Sequence, residues 1–243
     1  MLKELMSYKY TAVIIEPRKH KALEFVIENA CDCLSEEWKI LFFHGINNVE
    51  YSEKIVAKLN RIYNDRIQLV NSGVKDLNKQ AFDKFLATRT IFYDFIDTEM
   101  FLVFHTDSLI IKKNAHLINE YLNYDYVGAP WEKNDFAPTK NCDFIGNGGL
   151  SLRRKSKMFE IMDKIPFNGE GEDLYFCTNY DNIKVNKPDY EKSKRFSVEQ
   201  VFSEITFACH KYWAHEKLYN HPYSLKDIYP EIGTLEGLQG VEE

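Results

Sequence analysis

The chain has 243 residues, with 31 basic against 37 acidic side chains and a formal net charge of −6. That length suits one α/β domain with a sizeable core, and 44% hydrophobic with 28% charged residues are the proportions of a soluble globular protein. An acidic balance excludes a general nucleic-acid binder, which needs a basic stripe, and no apolar run approaches the roughly 20 residues of a membrane-spanning helix.

The opening MLKELMSYKY lacks the apolar stretch of a secretion signal, so none is expected. Cys31, Cys33, Cys142, Cys177 and Cys209 are odd in number and contain no C-x-x-C pair. They read as reduced thiols of a cytoplasmic protein, with neither a disulfide frame nor a structural zinc site.

In chain order, YTAVII (Tyr10 to Ile15) is a β-branched run that predicts a buried strand. Leu23, Val26, Ile27, Ala30 and Leu34 then recur at helical spacing. ILFF (Ile40 to Phe43) predicts a strand, Ser52 to Tyr63 a helix, IQLV (Ile67 to Val70) a strand, and Asn78 to Phe95 a further helical stretch before the strand MFLVF (Met100 to Phe104). This alternation predicts an α/β fold, a mostly parallel central sheet flanked by helices.

The second half is less regular. The apolar pieces DYVGAPW and GGLSLRR are broken by Gly, Pro and Asn, and a helix is expected from Ser156 to Ile165. Ser197 with Gln200 three residues on forms a capping-box pattern, which predicts a helix start there. With no repeat or linker, residues 1–243 read as a single domain. Its halves are about 8–113, for a nucleotide, and about 114–230, for acceptor and catalysis, and 232–243 read as a mobile tail.

Ligands of open parallel sheets bind at the carboxyl ends of the strands. Glu16-Pro17-Arg18 follows the first strand, and His105-Thr106-Asp107-Ser108 follows MFLVF. Asp107 between two apolar runs is placed either to bind a divalent cation that bridges diphosphate oxygens or to cap an ordinary turn. His105, two positions earlier, shares its side in an extended backbone. Arg18 suits a phosphate or a base, and Glu16 suits ribose hydroxyls better than a phosphate of its own sign. A solvated loop is the plain alternative for both.

Gly146-Asn147-Gly148-Gly149 allows close approach of backbone to a ligand, or a structural turn, and Asn147 offers a donor and an acceptor to a hydroxylated ligand. Arg153 and Arg154 read as surface residues within reach of a phosphate. Glu172 and Asp173, ahead of the apolar LYFC helix, are either favourable charges in a first helical turn or a general base. In FACHKYW, His210 is a half-buried histidine or a metal ligand, with His215 and His221 competing for that role.

The segments VIIEPR, LVFHTDS, YDYVGAPW, IGNGGLSLRRK, GEDLYF and FACHKYW, in this order from Val13 to Trp213, resemble a family of glycosyltransferase-like proteins once catalogued as a domain of unknown function. The resemblance implies a GT-A-like (Rossmann-like) fold. A weaker similarity to the β-1,4-galactosyltransferase pattern implies Arg18 at the nucleotide, Asp107 and His210 as metal ligands, and Asp173 as catalytic base. The pattern's first D-x-D aspartate is replaced here by His105, which suits Mn2+ better than Mg2+.

The function so implied is metal-assisted transfer of a sugar from a nucleotide-diphosphate donor, a UDP-sugar foremost, to a hydroxyl of a glycan or other acceptor. Configuration would be inverted, with Asp173 as base and Glu172 as its alternate. Glu16, Arg18, His105, Thr106, Asp107, Asn147, Gly148 and Gly149 would hold the donor, and Trp131 would line the sugar pocket. Two other classes stand beside it. A metal-dependent nucleotidyltransferase would bring a Gly-rich basic loop after the first strand, where EPRKHK has no glycine. A catalytically silent nucleotide- or carbohydrate-binding module is favoured by the altered D-x-D.

Overall fold

Four strands in the first half carry apolar side chains on both faces. They are β1 (Tyr10–Glu16), β2 (Trp38–His44), β3 (Ile67–Asn71) and β4 (Met100–Phe104) in a computed structural model describing residues 8–134, 136–218 and 221–242. Successive side chains of a strand point to opposite faces. Ala12, Ile14, Ile40, Phe42, Leu102 and Phe104 therefore enter one core, and Val13, Ile15, Leu41, Phe43, Phe101 and Val103 the other. Helices close both faces. Leu23–Cys33 and Val49–Asn60 cover the first core, while Lys79–Ala87 and Lys155–Lys164 cover the second.

Strands β5 (Ser108–Ile110), β6 (Tyr126–Pro130), β7 (Ile145–Arg154), β8 (Ser197–Val198) and β9 (Ala208–His210) follow. The main sheet has the order β3-β2-β1-β4-β7-β6, in which β1, β2, β3 and β4 pair in parallel and β7 runs antiparallel to both of its neighbours. A second sheet has the order β5-β9-β8. The result is a mixed α/β domain with a largely parallel sheet flanked by helices, as the periodicity predicts.

Three expectations differ from the structure. The stretch from Asn78 to Phe95 forms two helices, Lys79–Ala87 and Ile91–Asp94. They break where Thr88 and Thr90 turn their hydroxyls onto the carbonyls of Lys84 and Phe85, the competition with helical bonding that threonine offers. Ser197 starts no helix. It lies in β8, where burial of Phe196 and Val198 and pairing with β9 override the local capping pattern, and its Oγ is buried without a hydrogen-bond partner.

The residues from Ile232 are not a mobile tail. Glu231–Gly237 is a helix with Ile232 and Leu235 in the first core, Val241 bridges His20, and Gln239 Nε2 donates to the Thr106 carbonyl at 3.1 Å. Glu243, and the opening stretch through Ser7 that was read for a secretion signal, lie outside the described residues. No helix among the described residues is long and apolar enough to cross a membrane.

Because Leu235 is fully buried, Leu235→Ala is expected to cost about 2–5 kcal/mol of stability, the range for a large-to-small core change. Urea unfolding measures it, and a cost below about 0.5 kcal/mol, the size of an ordinary surface change, would show that this helix does not belong to the core.

Candidate functional site

The strand order reverses between β1 and β4, and open α/β sheets bind ligands at such a switch point. Here it brings the Glu16–Arg18 loop beside the His105–Ser108 turn. Antiparallel β7 then carries its glycine-rich start to the same edge, since Phe104 pairs with Leu150. Ser108 fastens the turn to β7 by donating from Oγ to the Gly149 carbonyl at 2.9 Å, and it accepts from the His105 N–H at 3.1 Å.

A cavity of about 410 Å3 opens at this edge. Its walls contain Glu16 and Arg18, His105 to Asp107, Asn147 to Gly149, Glu172 and Asp173, and His210. Trp131, expected to line the sugar pocket, is not among them. It lies, largely buried, in an adjoining cavity of about 380 Å3 that shares Lys79 and Asp173 with the first.

The imidazoles of His105 and His210 and the Asp107 carboxylate each offer a ligand atom, and these atoms lie within 4.8 Å of one another. His210 Nε2 is 3.1 Å from Asp107 Oδ1. The Nε2 of His105 is buried with no hydrogen-bond partner, while its ring stands edge-on to Phe82 and to His210. Burial lowers His105 to about 4. Burial also works against a charge on His210, but the Asp107 carboxylate and then Glu199 raise it to about 10. An orphaned imidazole nitrogen beside a mixed N/O donor set fits a divalent cation.

His215 and His221 are not in this cluster. His215 faces Glu199 at 3.8 Å, and His221 stacks on Phe202. Just after His210, Lys211 takes a left-handed backbone (φ 45°), and its N–H donates to the Asp107 carbonyl at 2.8 Å. That bond ties the two ligand-bearing segments together.

Glu16 is 3% exposed, and both of its oxygens accept from the Arg18 guanidinium at 2.8 Å. The carboxylate thus aims the half-exposed Arg18 into the cavity. Asn48, just ahead of the Val49–Asn60 helix, donates to the Glu16 and Arg18 carbonyls at 3.0 and 2.9 Å and fixes the loop from below.

Arg153, expected at the surface, is 0% exposed. It grips Glu172 through two contacts of 2.5 and 3.0 Å, because β7 points it inward between Tyr126 and Phe176. Glu172 is thereby engaged in a buried ion pair at the cavity wall. Asp173 is left to face the cavity. Burial, reinforced by the neighbouring Glu172 charge, raises its carboxyl to about 6. Its Oδ1 accepts from the Leu174 N–H at 2.8 Å.

The glycines serve the protein's own packing. A Cβ on Gly149 would stand 2.1 Å from the His210 ring, and one on Gly148 would stand 2.4 Å from Glu172 Oε1. Lys79, Phe82 and Lys211 also line the main cavity. Lys79 and Phe82 sit on a helix whose amphipathic pattern carries no chemical signal, so no local feature singles them out.

The architecture is a GT-A-like α/β fold. The chain resembles the galactosyltransferase LgtC, solved in complex with donor and acceptor sugar analogues, at a TM-score of 0.51 and 12% identity over 96% of this chain and 97% of that one. It resembles the glycosyltransferase GlyE of Streptococcus pneumoniae TIGR4 at a TM-score of 0.53 and 12% identity over 97% of this chain. A mannosyltransferase of Pyrobaculum calidifontis overlaps less well, at a TM-score of 0.48 and 11% identity over 69% of this chain. The chain spans 66% of GlyE and 50% of the mannosyltransferase. The chain belongs to the family described as "Protein of unknown function (DUF5672)", whose model matches residues 66–211. No curated protein matches the sequence significantly.

Arg153→Ala is expected to destabilise the fold by about 3–5 kcal/mol, because it strands a buried carboxylate, whereas Arg153→Met with Glu172→Leu should recover most of that loss. Urea denaturation of the three proteins decides it. A single-variant loss below about 1 kcal/mol would put the ion pair in the class of surface bridges.

Proposed function

We propose that the chain is a glycosyltransferase that moves a sugar from a nucleotide-diphosphate donor to an acceptor hydroxyl. The observation that carries the reading is the convergence, in one cavity at the switch point, of a His–Asp–His cluster, an aimed arginine and a carboxyl raised to about 6. That LgtC and GlyE, which share the fold, are sugar transferases supports it.

His105, Asp107 and His210 would hold the divalent cation, Mn2+ before Mg2+ because two of the three ligands are imidazoles. The bound ion supplies positive charge to the departing diphosphate. Arg18, braced by Glu16, takes the nucleotide side, where a UDP-sugar is our first choice. The backbone at Asn147 to Gly149 forms the floor under the sugar. Thr106, which lines the same cavity, helps to hold the donor.

Asp173 stands between the two cavities, so the acceptor enters from the side of Trp131. The acceptor oxygen bonds to the anomeric carbon as the bond to the diphosphate breaks. The proton of the hydroxyl passes to the Asp173 carboxylate, and the electron pair of the broken bond leaves with the diphosphate. Attack from the face opposite the leaving group inverts configuration. Five unpaired cysteines fit a reducing, cytoplasmic setting for this chemistry.

Two outcomes test the reading. First, a panel of nucleoside diphosphates should stabilise the chain in a Mn2+-dependent way, by about 2.7 kcal/mol at one hundred times the dissociation constant, and Asp107→Ala should lose the effect. No shift with any nucleotide overturns the donor site, and binding with no turnover on any acceptor would leave only a binding module.

Second, Asp173→Asn should lower turnover by about 10²–10⁴-fold, the contribution of a positioned base. A carboxyl raised to about 6 is protonated, and useless as a base, at lower pH. The wild-type rate should therefore climb through about pH 6 to a plateau, and the Asn variant should lack that limb. A full rate below pH 5 excludes Asp173 as the base.

A further inference from the structure

The small sheet does more than close one edge of the fold. Its parallel register pairs Ser197 with Ala208 and Val198 with Cys209, and one step further sets Glu199 beside His210. On the other flank, Ser108 pairs with His210, so Asp107 comes alongside from the opposite side. The imidazole lies between two carboxylates, one near each ring nitrogen, and its buried Nδ1 makes no hydrogen bond in this arrangement. Nε2 lies 3.1 Å from Asp107 Oδ1, and Nδ1 lies 3.6 Å from Glu199 Oε1.

Glu199 is 6% exposed, and burying a carboxylate is unfavourable unless positive charge or donors answer it. Two imidazoles come near one of its oxygens: His210 Nδ1 at 3.6 Å and His215 Nε2 at 3.8 Å, each a short adjustment from hydrogen-bond distance. A histidine that ligates through one nitrogen needs its other nitrogen held, because that second bond sets which nitrogen carries the proton and how the ring faces the ion.

We infer that Glu199 is a positioning residue of the metal centre, receiving the Nδ1–H of His210 so that Nε2 is presented beside Asp107, with His215 steadying the carboxylate. The inference rests on His105, Asp107 and His210 being the ligands. Gly149 completes the arrangement, since the ring packs directly on its backbone and has no room to turn away.

The test uses the full chain and Mn2+ alone, with affinity from titration calorimetry and the ligand field from Mn2+ electron paramagnetic resonance. Glu199→Ala and Glu199→Asp, the second of which keeps the charge but withdraws its oxygens, should weaken Mn2+ by about 10–100-fold, the usual cost of losing such a partner. Glu199→Gln keeps an acceptor at the right reach and should stay within about threefold of wild type, with a spectrum close to it, because a hydrogen bond and not the charge does the holding.

Wild-type affinity in Glu199→Ala and Glu199→Asp, while Asp107→Ala loses Mn2+, overturns the role of Glu199 and spares the metal centre. Glu199→Gln as weak as Glu199→Asp also overturns it, and that contrast decides the matter if Glu199→Ala does not fold. A wild-type chain that binds no Mn2+ overturns both readings.

Discussion

A guanidinium with no exposed surface has to be answered by a charge inside the protein, and Arg153 meets that requirement with Glu172. The demand is structural before it is functional. It pulls the Glu172–Cys177 helix onto β7 and excludes any side chain at Gly148. It also turns the next residue, Asp173, toward the cavity. A buried pair of this kind contributes little net stability over an apolar equivalent, but breaking one partner is costly. Its worth here is positional. Burial raises the neighbouring Asp173 carboxyl, and the Glu172 charge adds to that while Arg153 opposes it.

The ligand cluster is built differently, from backbone register. Three short segments, each too small to be stable alone, are aligned by pairing with one another: the turn before β5, the end of β9 and the residue after β8. They bring acid, imidazole and acid side by side. The left-handed turn at Lys211 and the bare backbone at Gly149 fix the imidazole from two further directions. Without a cation, a charged His210 neutralises Asp107. In this cluster the Nε2 of His105 and the Nδ1 of His210 are buried without a hydrogen-bond partner.

The two centres are separate in their electrostatics. Asp173 responds to burial and to Glu172, and His210 to burial, Asp107 and Glu199. In the proposed reaction this separation matters, because the group that accepts a proton must not be silenced by the positive charge that stabilises the leaving group. The adjoining cavity with Trp131 opens on the Asp173 side, so in the proposed reaction donor and acceptor would approach Asp173 from different sides.

Much of this was legible in the residues. Strands β1 to β4 read as apolar runs because both of their faces are covered, and the loops that follow them held the candidate side chains, so the alternation pattern and the switch-point rule pointed to the cavity that those side chains line. Glu16, Arg18, His105, Asp107 and Asn147 were identifiable as polar punctuation at strand ends, and Asp173 as an acid ahead of an apolar helix. Local signals failed where long-range burial outweighed them. The capping pattern at Ser197 lost to strand pairing, Arg153 lost its place at the surface to a carboxylate 19 residues away, and the C-terminal helix was tied down by a core that its own composition does not announce. The sequence by itself determined the layered α/β architecture and the chemical types available at its edge, because hydrophobic periodicity is a local property of the chain. Only the tertiary structure decided which of those side chains meet, that Glu172 supports while Asp173 faces the cleft, and that Glu199 stands behind His210, because proximity between segments distant in sequence depends on register and burial that no local pattern encodes.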